Sequence, residues 1–170
     1  MMKNLEVKVE LRDLNEISHN IKLMGLKKVA NLYQTDTYYL VGKKRLKLRN
    51  VNDELQLIYY SRPNVGGSKM SHYYIFRFRA NSKEIIEKIL GLFFSIKTVV
   101  IKKRMLYVYK HTRIHLDEVE NLGKFLELET VFDRESPQNN FYKEHDFIVN
   151  TLGLSKYKKI GLSYSDLVFK

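Results

Sequence analysis

The chain has 170 residues, 44% of them hydrophobic, with thirty Lys and Arg against nineteen Asp and Glu and a formal charge of +11. That length is enough to bury a core without covalent staples, and the absence of Cys excludes disulfides, thiol redox chemistry and thiolate zinc sites. The positive charge favours anionic partners such as nucleic acid, polyphosphate, nucleotides or an acidic membrane surface, without choosing among them.

The opening "MMKNLEVKVELR" alternates instead of forming one apolar run, so no signal peptide is expected, and no later run reaches the length of a spanning helix. A soluble, cytoplasmic protein without a membrane partner is the expectation. Leu5, Val7, Val9 and Leu11 share one face of this first strand, and Asn4, Glu6, Lys8, Glu10 and Arg12 share the other. Asp13 and Glu16 then form a capping-box pair, and Leu14, Ile17, Ile21 and Met24 recur at helical spacing until Gly25 stops the helix. "QTDTYYLV", "KRLKLRNV", "ELQLIYYSR" and "SHYYIFRFR" read as strands, separated by turns at "VGKK", "NVND" and "PNVGGSK".

The pattern then partly repeats. Asn81 or Ser82 caps a helix carrying Ile85, Ile86, Ile89 and Leu90 and ended by Gly91, and three strands follow over 98–109, 112–119 and 124–133. Ser136 and Pro137 open a helix with Phe141, Ile148 and Leu152 that runs toward Gly153, and "YSDLVF" supplies a short closing turn in which Asp166 caps the helix. With no Pro/Gly-rich linker, residues 1–170 are expected to form one α+β domain with about eight mostly antiparallel strands.

The polar faces of these strands carry the functional signal. Arg45, Lys47 and Arg49 alternate with leucines, Arg77 and Arg79 with phenylalanines, and Lys102 is followed two residues on by Arg104. Arg113, His115 and Asp117 alternate with Ile114 and Leu116, while Glu127 and Glu129 share one face of "KFLELETVF". Neighbouring carboxylates on one strand face lie roughly 6.6 Å apart and repel by about 2.5 kcal/mol at an effective dielectric near 20. Two arrangements accommodate such faces. A sheet with one solvated side scatters weak surface ion pairs; a sheet closed into a barrel with helices outside turns the charges into a lumen that needs a ligand.

In the second arrangement Glu6, Glu127 and Glu129 form a hard-oxygen site for Mg²⁺ or Mn²⁺, and facing Lys and Arg suit phosphate oxygens. The five His are scattered without HExxH or paired spacing, so any metal is expected on oxygen. His115 reads as a hydrogen-bonded structural residue in preference to a proton carrier. "GGSK" at 66–69 lacks the spacing and setting of a P-loop and reads as a flexible turn. The many Tyr fit barrel packing better than base stacking, so a nucleic-acid partner is not favoured.

The ordered set "NLEVK", "QTDTYYLV", "GKKRLKLR", "LIYYSRP", "VVIKKRMLY", "TRIHLDEVENLGKFLELE" and "SYSDL" resembles the CYTH superfamily of triphosphate tunnel metalloenzymes, nearest the branch labelled class IV adenylyl cyclase-like. The resemblance implies an eight-stranded antiparallel β-barrel, a tunnel with helices packed outside, that binds a triphosphate along its bore with divalent metal. Carried over by position, Glu6, Glu127 and Glu129 are the metal ligands and catalytic residues together with Lys8, and Asp117 lies nearby as a further ligand. Lys8, Lys47, Arg49, Lys102, Arg104 and Arg113 grip phosphates, joined by Arg45, Arg62 and Arg77. The chain departs from the family's ExExK signature at Asn4, which offers a carbonyl oxygen without charge, and it has Tyr60 where many relatives carry lysine, with Arg62 as the substitute. Three functions are compatible: a triphosphatase acting on inorganic or nucleoside triphosphate, which is the first expectation; a class IV adenylyl cyclase; and a non-catalytic module binding polyphosphate, nucleotides or RNA ends.

Overall fold

The structure, a computed structural model, describes residues 1–52, 54–133 and 137–169. Eight strands form a closed antiparallel barrel: β1 (Met2–Leu11), β2 (Lys28–Tyr39), β3 (Arg45–Val51), β4 (Glu54–Ser61), β5 (Lys69–Arg79), β6 (Ile96–Tyr109), β7 (Thr112–Val119) and β8 (Gly123–Phe132). Their order around the barrel is β1-β5-β4-β3-β2-β6-β7-β8, and β1 closes it by pairing with β8. Four α-helices accompany it: α1 (Asn15–Leu23), α2 (Lys83–Phe93), α3 (Gln138–Thr151) and α4 (Tyr164–Val168).

The two-residue period of each strand decides what faces in. Val7, Val9 and Leu11 of β1, Ile114 and Leu116 of β7, and Leu126 and Leu128 of β8 point outward and pack against Ile17 and Ile21 of α1 and Ile148 of α3, with Leu152 just beyond it. Fully burying such a side chain contributes about 1.5–3 kcal/mol, so these helices hold one half of the barrel rigid. On the opposite wall Leu46, Leu48 and Leu55 pack against Leu90 of α2. Each apolar residue sent outward leaves its polar neighbour inside.

Several boundaries differ from the sequence reading. β2 begins at Lys28 and β6 at Ile96, because their long antiparallel pairing extends both beyond their strongest sequence patterns. Gly91 does not end the second helix, which continues to Phe93; the cost of an interior glycine, about 1 kcal/mol, is small beside the packing of Leu90 and Ile86. Ile85 and Ile89 of the same helix are exposed. The first helix stops as expected at Gly25, whose φ of 70° is left-handed and whose N–H donates to the Lys22 carbonyl. Glu16 accepts from the Asp13 N–H at 2.8 Å, half of the expected capping box. Ser136 lies outside the described residues. Among the described residues no helix is long and apolar enough to cross a membrane.

Candidate functional site

The barrel encloses a cavity of about 690 Å³. Among the described residues its lining carries eight Lys and Arg against four Glu, so an anionic ligand is favoured. The charges are segregated by strand into an acidic wall and a basic wall.

The acidic wall comes from β1, β7 and β8, where register places Glu6 opposite Glu129, and Lys8 and His115 on either side of Glu127. Lys8 Nζ lies 3.4 Å from Glu127 Oε1, and an Arg104 amino group donates to Glu127 Oε2 at 2.8 Å. Burial pushes the Glu127 carboxyl up, but Lys8, the facing His115 and Arg104 outweigh it and hold the group well below the usual carboxylate range. Burial dominates at Glu6 and raises its pKa in spite of Arg62, 2.8 Å away. His115 Nδ1 stands 3.9 Å from both Glu127 Oε2 and Glu129 Oε1. Ligand atoms of His115, Glu127 and Glu129 all lie within 4.8 Å of one another. Burial and the neighbouring Arg104 push the His115 pKa down.

The basic wall is organised by Asp36 on β2, fully buried and absent from the sequence reading. Arg49 donates to both its oxygens at 2.7 and 2.8 Å, Lys47 Nζ donates at 3.0 Å and Lys102 Nζ at 3.3 Å. Burial would raise the Asp36 carboxyl, but Arg49, Lys47 and Lys102 together depress it well below its ordinary value. Burial and the neighbouring Arg49 bring Lys47 down to about 7, and burial with Arg104 and Arg49 brings Lys102 to about 8. Asp36 shares its strand face with Gln34 and Tyr38; alternation could have found it, but one acid in an aromatic run gave little notice.

Of the expected residues, Glu6, Lys8, Lys47, Arg49, Arg62, Lys102, Arg104, Glu127 and Glu129 line this single cavity. Arg77 and Arg113 line it at the exposed rim, with Arg77 paired to Glu54 at 2.8 Å and Arg113 3.7 Å from Glu129. Asp117 and Arg45 do not line it. Asp117 is fully buried, held by two Arg104 donors at 2.6 Å and by the Tyr164 hydroxyl at 2.8 Å, so its place is behind Arg104 and outside the converging ligand atoms. Arg45 donates to the Arg62 carbonyl and to Asn64 and pairs with Asp166, which also meets Lys97. Asp166 forms the expected cap with Ser163.

Sequence reasoning also missed how the segment around residues 160–164 packs onto the barrel. Ile160 and Tyr164 pack against Tyr38, Val100, Val119 and Phe125. The Tyr164 ring lies 3.8 Å from Lys8 Nζ. Gly161 abuts the Val65–Gly66 backbone so closely that a Cβ there would sit 2.9 Å from a backbone carbon. Lys69 fastens the same segment by donating to the Ile160 and Gly161 carbonyls.

Among the described residues, Asn4 Oδ1, Gln34 Oε1 and His115 Nδ1 line the cavity, are buried and have no hydrogen-bond partner. Orphaned atoms of this kind are rare and call for a partner in the lumen, a ligand, an ion or ordered water. His115, expected as a hydrogen-bonded structural residue, has no hydrogen-bond partner at Nδ1 among the described residues, standing 3.9 Å from the Glu127 and Glu129 carboxylates. Two carboxylates with an imidazole at this spacing fit a divalent cation.

The architecture is a closed eight-stranded barrel whose interior joins a carboxylate cluster to a wall of buried cations, and residues 2–160 match the CYTH domain family. The chain belongs to that family. It is 25% identical over 174 residues to a Methanocaldococcus jannaschii protein provisionally named an adenylate cyclase, with 98% of each chain covered. Its fold is similar to that of the PH1012 protein from Pyrococcus horikoshii, with a TM-score of 0.79 and 23% identity over 96% of this chain and 98% of that one. A Hippeastrum protein provisionally described as an adenylyl cyclase with a dominant triphosphatase activity shares the fold at a TM-score of 0.63 and 13% identity, covering 98% of this chain and 94% of that one.

Proposed function

We propose that the protein is a divalent-metal-dependent phosphohydrolase acting on inorganic triphosphate or a nucleoside triphosphate. The observation that carries this reading is that Glu6, Glu127 and Glu129 line one cavity together with Lys47, Arg49 and Lys102. The activity described for the Hippeastrum protein supports it.

In this reading Glu127 and Glu129 hold a Mg²⁺ or Mn²⁺ ion, with Glu6 facing them across the β1–β8 pairing. Such an ion, when bound, supplies Lewis-acid charge to phosphoryl oxygens. Lys47, Arg49 and Lys102 hold the phosphate chain along the basic wall, and Asp36 fixes their head groups beforehand so that little reorganisation accompanies binding. Lys8 and Arg104, beside Glu127, neutralise charge that moves onto the leaving phosphate. Arg62, Arg77 and Arg113 attract the anion toward the bore, while the Tyr164 ring lies in the lining beside Lys8. Arg45 and Asp117 act from outside the lining, Arg45 by bracing the Arg62 segment and Asp117 by orienting Arg104. A cytoplasmic setting, with its nucleotide pool, goes with this reading.

The name of the M. jannaschii relative favours a second reading, cyclisation of ATP, in which the ribose 3′-hydroxyl replaces water as nucleophile and pyrophosphate leaves. A panel of triphosphates assayed with Mg²⁺, Mn²⁺ or chelator tests both. Orthophosphate release supports hydrolysis, cyclic AMP with pyrophosphate supports cyclisation, and salt-sensitive binding without turnover overturns both in favour of a binding module.

A further inference from the structure

We propose that His115 is a third metal ligand, joining Glu127 and Glu129 in a mixed nitrogen–oxygen site that selects first-row transition cations, Mn²⁺ among them, over Mg²⁺. This rests on reading the lumen as a divalent-cation site and gives that site a selectivity that carboxylates alone do not supply.

Three observations lead here. First, among the described residues His115 Nδ1 is buried and without a hydrogen-bond partner, although two carboxylates face it. An imidazole nitrogen 3.9 Å from Glu127 Oε2 and 3.9 Å from Glu129 Oε1 is beyond hydrogen-bond reach of both. Donors bound about 2.1 Å from a shared ion lie roughly 3.0 to 4.2 Å apart, depending on whether they are cis or trans. The two nitrogen–oxygen separations fall inside that interval and the three ligand atoms lie within 4.8 Å of one another, so a cation can draw them together with small side-chain movements.

Second, the ring is held for this task. His115 sits on β7 between Arg113 and Asp117, and the pairing of β7 with β8 places it directly opposite Glu127. Its outward neighbours Ile114 and Leu116 are buried in the core formed with α1 and α3, which fixes the strand face on which the ring projects. Its own exposure is only 4%, so bulk water does not compete freely for the nitrogen.

Third, the donor chemistry discriminates. Mg²⁺ prefers six oxygen ligands and retains several waters, whereas an imidazole donor favours the first-row transition ions, least at Mn²⁺ and increasingly along the series to Cu²⁺. Asn4, whose unpartnered Oδ1 lines the same cavity, adds a neutral oxygen in place of a further carboxylate, which keeps the anionic charge of the lumen low.

Metal binding alone tests the proposal, without turnover. The whole protein, stripped with chelator, is titrated with Mn²⁺ and separately with Mg²⁺, and the Mn²⁺ complex is examined by pulsed electron paramagnetic resonance for ¹⁴N coupling. Wild-type protein is expected to show coupling from a directly bound imidazole. His115→Asn, which keeps an oxygen donor on a shorter side chain, is expected to lose that coupling and to weaken Mn²⁺ about tenfold or more, while Mg²⁺ affinity moves by less than about threefold. Absence of ¹⁴N coupling in wild-type protein overturns the proposal whatever the variant does, as does an equal loss of Mg²⁺ and Mn²⁺ affinity in a variant that keeps the wild-type melting curve. Nitrogen-bound Mn²⁺ with no triphosphate turnover leaves the ligand assignment standing and refutes the hydrolase reading instead.

Discussion

Replacing Asp36 by Asn removes one negative charge and leaves Lys47, Arg49 and Lys102 converging on a neutral amide. Breaking a buried ion set by deleting one partner costs about 3–5 kcal/mol, because the remaining charges stay desolvated and unpaired. For a chain of this size each kcal/mol moves the melting temperature by about 2–4 °C, so a fall of about 10 °C is expected near pH 6. The loss should shrink as pH rises. Lys47 titrates at about 7 and Lys102 at about 8 even with Asp36 present, and without it both shed their protons more readily, whereas Arg49 remains charged throughout. Inorganic tripolyphosphate should restore what the carboxylate supplied and raise the melting temperature of the variant more than that of wild type. Thermal melts of both proteins at pH 6 and at about pH 9, with and without tripolyphosphate, follow all of these effects. A variant that melts like wild type at pH 6 and gains no more from the anion would show that Asp36 does not organise this wall.

Turnover itself should depend on the same lysines. Both carry their charge only below their lowered pKa values, so kcat/KM for a triphosphate should decline as pH rises through about 7 to 8, and a profile flat to about pH 9.5 would contradict the assignment. Glu129→Gln removes a carboxylate from the converging ligand atoms and should lower metal-dependent turnover about a hundredfold or more without unfolding the protein, since Glu129 is paired only loosely with Arg113; full activity in a steady-state assay would refute its role. His145 lies between Ser68 and Thr130, and burial lowers its pKa from 6.5 to about 4. The unfolded chain therefore takes up the proton first as pH falls, so the neutral ring's contribution is complete above about 6.5 and declines toward 4, by roughly 3 kcal/mol in all. Denaturant unfolding of His145→Gln across that window should show a shallower slope than wild type, and an unchanged slope would assign the acid sensitivity elsewhere.

Strand alternation made the lumen legible before any coordinates. Val7 and Val9 against Glu6 and Lys8, or Leu46 and Leu48 against Lys47 and Arg49, state which face is which, because a strand cannot bury both parities outside the same barrel. Which charges meet is another matter. That Asp36 serves Lys47, Arg49 and Lys102 depends on β2 lying between β3 and β6, an order around the barrel that local sequence does not encode. Asp117 illustrates the same limit: parity turns it inward, but Arg104 across the β6–β7 pairing and Tyr164 from α4 take both its oxygens. The exposed part of α2 has a different cause. Ile85 and Ile89 have helical spacing with Ile86 and Leu90, yet the barrel offers that helix only a narrow strip, so part of its apolar face is exposed.

The closing pair of the barrel has a kinetic consequence. β1 finds both its neighbours late in the chain, β5 from residue 69 and β8 from residue 123, so the earliest strand remains unpaired until distant segments have been made and brought round. Such non-local pairing is slow, because the entropy of joining remote segments is lost before their contacts form. Glu6, Glu127 and Glu129 come together in that same closing step, and mutual repulsion of these carboxylates opposes it until counter-charges arrive. Refolding should therefore slow as ionic strength falls and accelerate when a divalent ion is present from the start, making cation supply a determinant of how fast the molecule matures as well as of what it does afterward.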